Sequence, residues 1–235
     1  MNQRVVHPAA VLVLSFLTVI AAGTVLLMLP LSHAQGQSAP FLTALFTATS
    51  AVCVTGLVVV DTGTYWSGTG QALIMGLFQL GGFGMMTSAT LMGLLISGQM
   101  RIRTRLLLQA EIHSLALGDV KSVAKIVLQV TVAVELLMAL ALGLRFALGY
   151  GMPWGEAAWQ GMFHSISAFN NAGFSTWADS VVRFSSDVLV LAPLMLAIII
   201  EAWGFRCCTS CWPNADENAR CGPCTPPSRY GARWR

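Results

Sequence analysis

Ten residues in two short runs carry the chemistry that this sequence offers. Val52, Cys53, Val54, Thr55 and Gly56 form one run, and Phe169, Asn170, Asn171, Ala172 and Gly173 form the other. Neither holds a set of acids, bases or nucleophiles. What both offer is backbone: a short apolar helix passes into a turn-prone segment that ends in glycine, which lets the chain turn carbonyl oxygens towards an axis without a steric clash. Carbonyl oxygens arranged on an axis replace the hydration shell of an ion, which is the chemistry of a selectivity filter. The two runs also lie in register. Residues 163–174, FHSISAFNNAGF, overlay residues 46–57, FTATSAVCVTGL, without a gap, so that Ser167 falls on Ser50, Ala168 on Ala51 and Gly173 on Gly56. The expected ion is a monovalent cation, because each short helix would aim the negative, carbonyl end of its dipole at the filter.

Other side chains suggest further chemistry. Glu135 stands among valines, leucines and alanines near the middle of a long apolar segment, where a carboxylate must face protein or water. It reads either as a group on the cation path, coordinating or gating, or as a buried structural hydrogen bond. Asp61, just past the first run, reads either as a charge that concentrates cations at the outer mouth or as a solvated loop residue. An enzyme is not expected: His7, His33, His113 and His164 occupy unrelated segments, and neither H-E-x-x-H nor G-x-S-x-G occurs. The residual enzymatic reading is an intramembrane hydrolase using Ser165 or Ser167 with His164. Five of the six cysteines crowd the tail, where Cys208-x-x-Cys211 and Cys221-x-x-Cys224 have the spacing of a tetrahedral zinc site.

The filter runs have to be held at membrane depth. The chain has 235 residues, 55% hydrophobic and 10% charged, with a mean hydropathy of +0.69, too apolar for a soluble domain and long enough for about four spans. The expected fold class is an all-α polytopic membrane protein made of repeated helix, re-entrant pore loop, helix units. Residues 40–51 number about a dozen, against about twenty for a crossing, so this helix enters the membrane and stops partway. Non-helical backbone at that depth is tolerated only where it is buried in protein or lines water.

The first repeat is expected over residues 1–98, with long apolar helices at 9–31 and 71–97. Its start also resembles a signal peptide, but the apolar run exceeds the length of such regions. The cluster Leu80-Gly81-Gly82-Phe83-Gly84 permits either close helix approach or a bend beside a pore. Residues 99–121 form a basic linker with Arg101, Arg103, Arg105 and Lys121, cytoplasmic by the positive-inside rule, which places the amino terminus inside and brings both pore loops in from outside. Within it, residues 103–117 suit an amphipathic helix lying on membrane lipid. The basic residues do not interleave with aromatics on a face, so no nucleic acid partner is expected. The second repeat is expected over residues 122–200, with Arg145 reaching the outer interface and Trp154 and Trp159 opening the second pore helix at the membrane boundary. Its last helix begins at 187 and halts at Glu201, about half a span long, and residues 201–235 have a different, Cys-rich composition.

The runs SAVCVTGLVVVDTGTYW at 50–66, QLGGFGMMT at 79–87 and SAFNNAGFS at 167–175 resemble the Trk and Ktr potassium transporters, the membrane subunits of bacterial potassium uptake systems. The resemblance covers residues 9 to about 200. It implies four helix, pore-loop, helix repeats around one ion path, with Gly56 and Gly173 in a ring of four filter glycines and carbonyls from Val52 to Thr55 and from Phe169 to Ala172. It further implies K+ as the transported ion, the inner (plasma) membrane as location, a homodimer, and a cytoplasmic nucleotide-binding regulatory subunit as partner. Two of the four repeats are present, so on this reading the chain by itself is an incomplete, inactive portion. The alternatives are a two-repeat cation channel subunit that completes its pore by dimerising, and a membrane protein with a structural zinc-binding tail. Where Glu201 stands, the resemblance implies a Gly-Gly-Leu-Gly-Phe-Pro-like segment. The codons GGA GGC TTG GGG TTT CCG encode it, and loss of their first G yields Glu-Ala-Trp-Gly-Phe-Arg, the residues from Glu201 to Arg206. The tail is therefore expected to be an out-of-frame reading.

Overall fold

The computed structural model describes the backbone of residues 8–99 and 120–211 and the side chains of residues 13–84 and 128–202. The first repeat comprises α1 (Pro8–Met28), α2 (Phe41–Val52), the single turn α3 (Thr62–Tyr65) and α4 (Gly68–Gln99). The second comprises α5 (Val120–Tyr150), α6 (Trp154–Phe169) and α7 (Val188–Cys211). No strand occurs among the described residues, and the fold is all-α.

Helix lengths follow the apolar pattern. At 1.5 Å per residue, the 12 residues of α2 make about 18 Å and the 16 of α6 about 24 Å, both short of an apolar bilayer core of about 30 Å. Each is entered through a proline, Pro40 at φ −57°, ψ 140° and Pro153 at φ −54°, ψ 138°. A ring-locked φ suits that extended entry. Among the described residues, Leu128–Tyr150 within α5 is long and apolar enough to cross a membrane, and Val13–Met28 and Val188–Ala202 are shorter apolar helices. Leu14 and Leu17 of α1, Leu137 and Leu140 of α5, and Leu189 and Ile199 of α7 all face outward and are exposed. Water would not favour so much apolar surface, whereas lipid solvates it.

Within each repeat every long helix packs on the other two, α1 with α2 and α4, and α5 with α6 and α7. The repeats meet where α4 lies on α6. There Phe78 is wholly buried, with its ring edge-to-face on Phe163 at 5.8 Å and stacked on Phe174 at 5.9 Å. Leu27 is fully buried and Phe16, Val19 and Ile20 pack on the same core, so α1 is integral to the fold.

On the loop side, Ser67 Oγ donates to Leu31 O at 2.6 Å and Ala34 N to Tyr65 O at 3.0 Å, tying the entry to α2 against the entry to α4. In the second repeat Arg145 pairs with Asp187 at 2.9 Å, joining the end of α5 to the start of α7. Desolvation pushes the Asp187 carboxyl up, and hydrogen bonds from Tyr150 and Arg145 outweigh it and hold the group below the usual carboxylate range.

Two expectations meet differences. The helix expected to halt at Glu201 runs on as α7 to Cys211. Charge interrupts an apolar run without interrupting a helix, and no proline occurs between Pro193 and Pro213 to end it. The segment after the first run, where Asp61 reads as a mouth charge or a solvated loop residue, contains α3, capped by Asp61. The linker residues 100–119, including the helix expected at 103–117, lie outside the described residues. So do the side chains of Cys208 and Cys211 and the whole of Cys221 and Cys224.

Candidate ion filter

The two filter runs adopt one backbone. α2 ends at Cys53 with φ −83°, ψ 0°, and α6 ends at Asn170 with φ −83°, ψ 3°. Next come left-handed residues, Val54 at φ 53° and Asn171 at φ 54°, and two residues later left-handed glycines, Gly56 at φ 71° and Gly173 at φ 69°. Hydrogen bonds repeat in step. Cys53 N donates to Thr49 O, Val54 N to Ala51 O and Thr55 N to Ser50 O; Asn170 N donates to Ile166 O, Asn171 N to Ala168 O and Ala172 N to Ser167 O, all between 2.8 and 3.1 Å. Ser50 Oγ donates to Leu57 O and Ser167 Oγ to Phe174 O, each at 2.7 Å, so each loop is pinned beyond its glycine to its own helix. Three backbone donors in each loop are thus turned back to its helix. Carbonyl oxygen is what such a loop has left for a ligand.

The loops meet at their glycines. A Cβ on Gly56 would come within 2.7 Å of Ala172 O and 3.1 Å of Gly173 Cα, and one on Gly173 within 3.4 Å of Gly56 Cα. Glycine is required at 56 twice over, by its left-handed φ and by this approach. Behind the loops, α4 brings its own glycines: a Cβ on Gly81 would run into Val52 O, and one on Gly82 into the Asn170 Oδ1. Close approach is therefore the role of these two glycines, one backing each loop, and α4 runs unbroken through them. Val52, Phe169 and Ala172 are buried, Cys53 and Val54 half-buried, and Asn171 exposed.

Beyond the glycines lies a cavity of about 510 Å³, with Gly56 and Gly173 in its lining together with Asp61, Ser175 and Trp177. Asp61 does two things here. It borders the cavity, and it caps α3, accepting from Gly63 N at 3.3 Å and from Thr64 Oγ1 at 2.6 Å.

Glu135 is buried behind the end of α6 and does not line the cavity. Its Oε1 accepts from Gln79 Nε2 at 2.9 Å and from Asn170 Nδ2 at 3.3 Å, while Asn170 Nδ2 also donates to Gln79 Oε1 at 2.6 Å. His164 Nδ1 bonds Gln160 O at 2.8 Å, its Nε2 bonds Ser175 Oγ at 3.0 Å, and its ring stacks on Trp177 at 4.1 Å. Thr176 Oγ1 donates to Gln160 Oε1. These contacts hold the segment after Gly173 against α6. Ser165 Oγ donates to Glu135 O and Ser167 Oγ to Phe174 O, so neither serine meets His164 as a hydrolase would require. Asn171 Nδ2 donates to Glu201 Oε2 at 2.8 Å. Among the described residues no group of three or more His, Cys, Asp or Glu side chains could hold a metal ion.

Sequence reasoning missed Gln79, Gln71 and Gln160. Gln71 accepts from Trp159 Nε1 at 2.9 Å and donates to Trp66 O at 3.1 Å, linking the repeats. The available signal was a glutamine inside an apolar helix, which must find a hydrogen-bond partner once buried.

An all-α chain with an apolar outward surface, in which two short helices end in loops of one geometry, is a membrane protein of the doubled helix-loop-helix class. The chain belongs to the Trk/Ktr family of cation transport proteins, which are transporters and not enzymes. Residues 1–217 match the family model TrkH, cation transport protein, a match that runs past Glu201 into the tail. The chain is 40% identical over 198 residues to Ktr system potassium uptake protein B of Bacillus subtilis, covering 84% of this chain and 44% of that protein. It is 38% identical over 206 residues to the protein of the same name from Vibrio alginolyticus, covering 86% and 44%. To the potassium/sodium uptake protein NtpJ of Enterococcus hirae it is 33% identical over 208 residues, covering 87% and 46%. The chain thus spans about half the length of the relatives it matches.

Proposed function

We propose that this chain supplies two of four pore loops to a potassium path across the plasma membrane. Val52 to Gly56 and Phe169 to Gly173 are its contribution to the filter. The observation that carries this reading is the shared backbone, a left-handed residue followed two positions later by a left-handed glycine, at the ends of both short helices. Alternation of hand along a strand sets N–H groups on one side and carbonyls on the other. Here the N–H groups return to the helices, and the carbonyl ends of the α2 and α6 dipoles favour a cation. Potassium is chosen because the relatives are named for potassium uptake.

In the same reading the amino terminus and the 99–121 linker are cytoplasmic, α2 and α6 enter from outside, and the cavity beyond Gly56 is the outer vestibule. A cytoplasmic nucleotide-binding regulatory subunit and a second copy of the transporter are its partners. The tail from Glu201 is read as out of frame. Gly81 supports this reading, since in the first repeat a side chain at that point would meet the backbone of Val52, and a glycine is expected at the equivalent point of the second. The nucleotide sequence across codon 201 tests this, and a lack of further pore-loop repeats in any other frame would reject it.

The filter is tested by placing these two repeats in a full-length relative and replacing Gly56 with serine. The ratio of potassium to sodium uptake is expected to fall about tenfold, because a displaced carbonyl no longer compensates dehydration. An unchanged ratio removes Gly56 from the filter.

A further inference from the structure

We propose that Glu135, acting through Gln79 and Asn170, is a positioning residue that sets the geometry of the second filter loop and with it the ion preference of the path. This rests on the proposed function and goes further by assigning selectivity to a group off the ion path.

Three elements converge on one carboxylate. Gln79 comes from α4 of the first repeat, Glu135 from α5, and Asn170 is the residue at which α6 turns into the filter. Glu135 and Asn170 are each only 6% exposed and Gln79 is half-buried, so water is a poor substitute for a lost partner at the carboxylate and at Asn170. Asn170 is held from several sides. Its Nδ2 donates to Gln79 Oε1 at 2.6 Å, to Ile166 O at 2.9 Å and to Glu135 Oε1 at 3.3 Å, and Gly82 lies under its Oδ1. Asn171, the next residue, takes the left-handed turn that begins the filter. A rotation of the Asn170 side chain would therefore be transmitted to the first peptide of the loop. Ser165 Oγ donates to Glu135 O at 2.7 Å, which fixes α6 to α5 at the same level.

The device belongs to one loop only. Under the gap-free overlay Cys53, which carries no amide, stands opposite Asn170. Two loops with one backbone are thus backed differently, and the difference consists of a buried carboxylate and two amides. Its accepting geometry, more than its charge, is what the contacts use, since both donors reach the same oxygen, Oε1.

Potassium and sodium uptake by the full-length relative carrying these repeats provides the test, with transporter abundance in the membrane measured alongside. Glu135→Ala is expected to lower the potassium to sodium ratio about tenfold, the scale of one lost buried hydrogen bond. Glu135→Gln, which keeps an accepting oxygen, should stay within about twofold of the parent. Gln79→Leu cuts the network from the other repeat and should reproduce the loss, and it carries the test should Glu135→Ala fail to accumulate. The double variant should be no worse than either single one, as for residues acting as one unit. The proposal is overturned if the alanine variant, at equal abundance, scales uptake of both ions alike, or if Glu135→Gln is as impaired as Glu135→Ala. Gly173→Ser separates this from failure of the filter reading. If that variant also leaves the ratio unchanged, the second loop is no filter. If it destroys selectivity while Glu135→Ala and Gln79→Leu do not, only the role of Glu135 falls.

Discussion

Val54 holds a backbone conformation that a β-branched residue avoids, at φ 53°, with a cost of roughly 1–2 kcal/mol. Neighbouring bonds impose it: Val54 N to Ala51 O, Thr55 N to Ser50 O, and Ser50 Oγ to Leu57 O. Asn171 adopts the same φ with a side chain that tolerates it. An inverted order of stability follows. Glycine in place of alanine ordinarily costs about 0.5–1 kcal/mol within an element. At position 54 both substitutions lose the same packing, but Val54→Gly alone relieves the strain, so it should melt higher than Val54→Ala, by about 1 kcal/mol when thermal unfolding is followed in detergent. Alanine melting higher would show that the loop does not hold this turn. At this scale the sequence was partly legible. The overlay paired Ser50 with Ser167, whereas the role of those serines, each bonded to a carbonyl seven residues on, depends on the path of the loop and not on any local pattern. Gln79 and Gln160 were illegible for the same reason, since their partners lie 91 and 16 residues away.

Among elements, α4 has the most exacting fit. Gly76 has open space around its Cβ position, while Gly81 has the carbonyl of Val52 there and Gly82 the side chain of Asn170. Gly76→Ala should leave the fold intact and gain up to about 1 kcal/mol from helix propensity. Gly81→Ala should lose about 1–3 kcal/mol from overpacking despite the same propensity gain. A melting comparison of the two variants decides it, and equal behaviour would mean that α4 does not back the filter this closely. The short helix α2 is readable from its length, because the bilayer sets how many residues a crossing needs, and α6 from the overlay of its end on that of α2 and from Trp154 and Trp159 at its start. The four residues of α3 were not, being too few for any period, although Asp61 before Thr62 is a capping signal. The end of α7 is not legible in the apolar pattern, because polarity marks the end of an apolar run and only backbone chemistry ends a helix.

For the whole molecule, the membrane topology proposed from the linker makes a direct prediction. Single cysteines placed within residues 99–121 should resist a membrane-impermeant thiol reagent in intact cells and react once the membrane is opened, and ready labelling of intact cells would invert the topology. The two-repeat plan was legible because four identities in twelve residues recur without a gap between apolar segments, while the way the repeats interlock was not, since it depends on which faces meet. That interlock bears on how the chain is made. Phe78 lies against Phe163 and Phe174, Gly82 against Asn170, and Gly63 against the backbone of Thr176. Each first-repeat residue thus waits for a partner synthesised 85 to 113 residues later, an interval of roughly 5–20 s at ribosomal elongation rates. During that interval Gly82 and the ring of Phe78 lack the partners that the second repeat will bring, while Gly81 already meets Val52 of the first. Maturation of the first repeat is in this way timed by translation of the second.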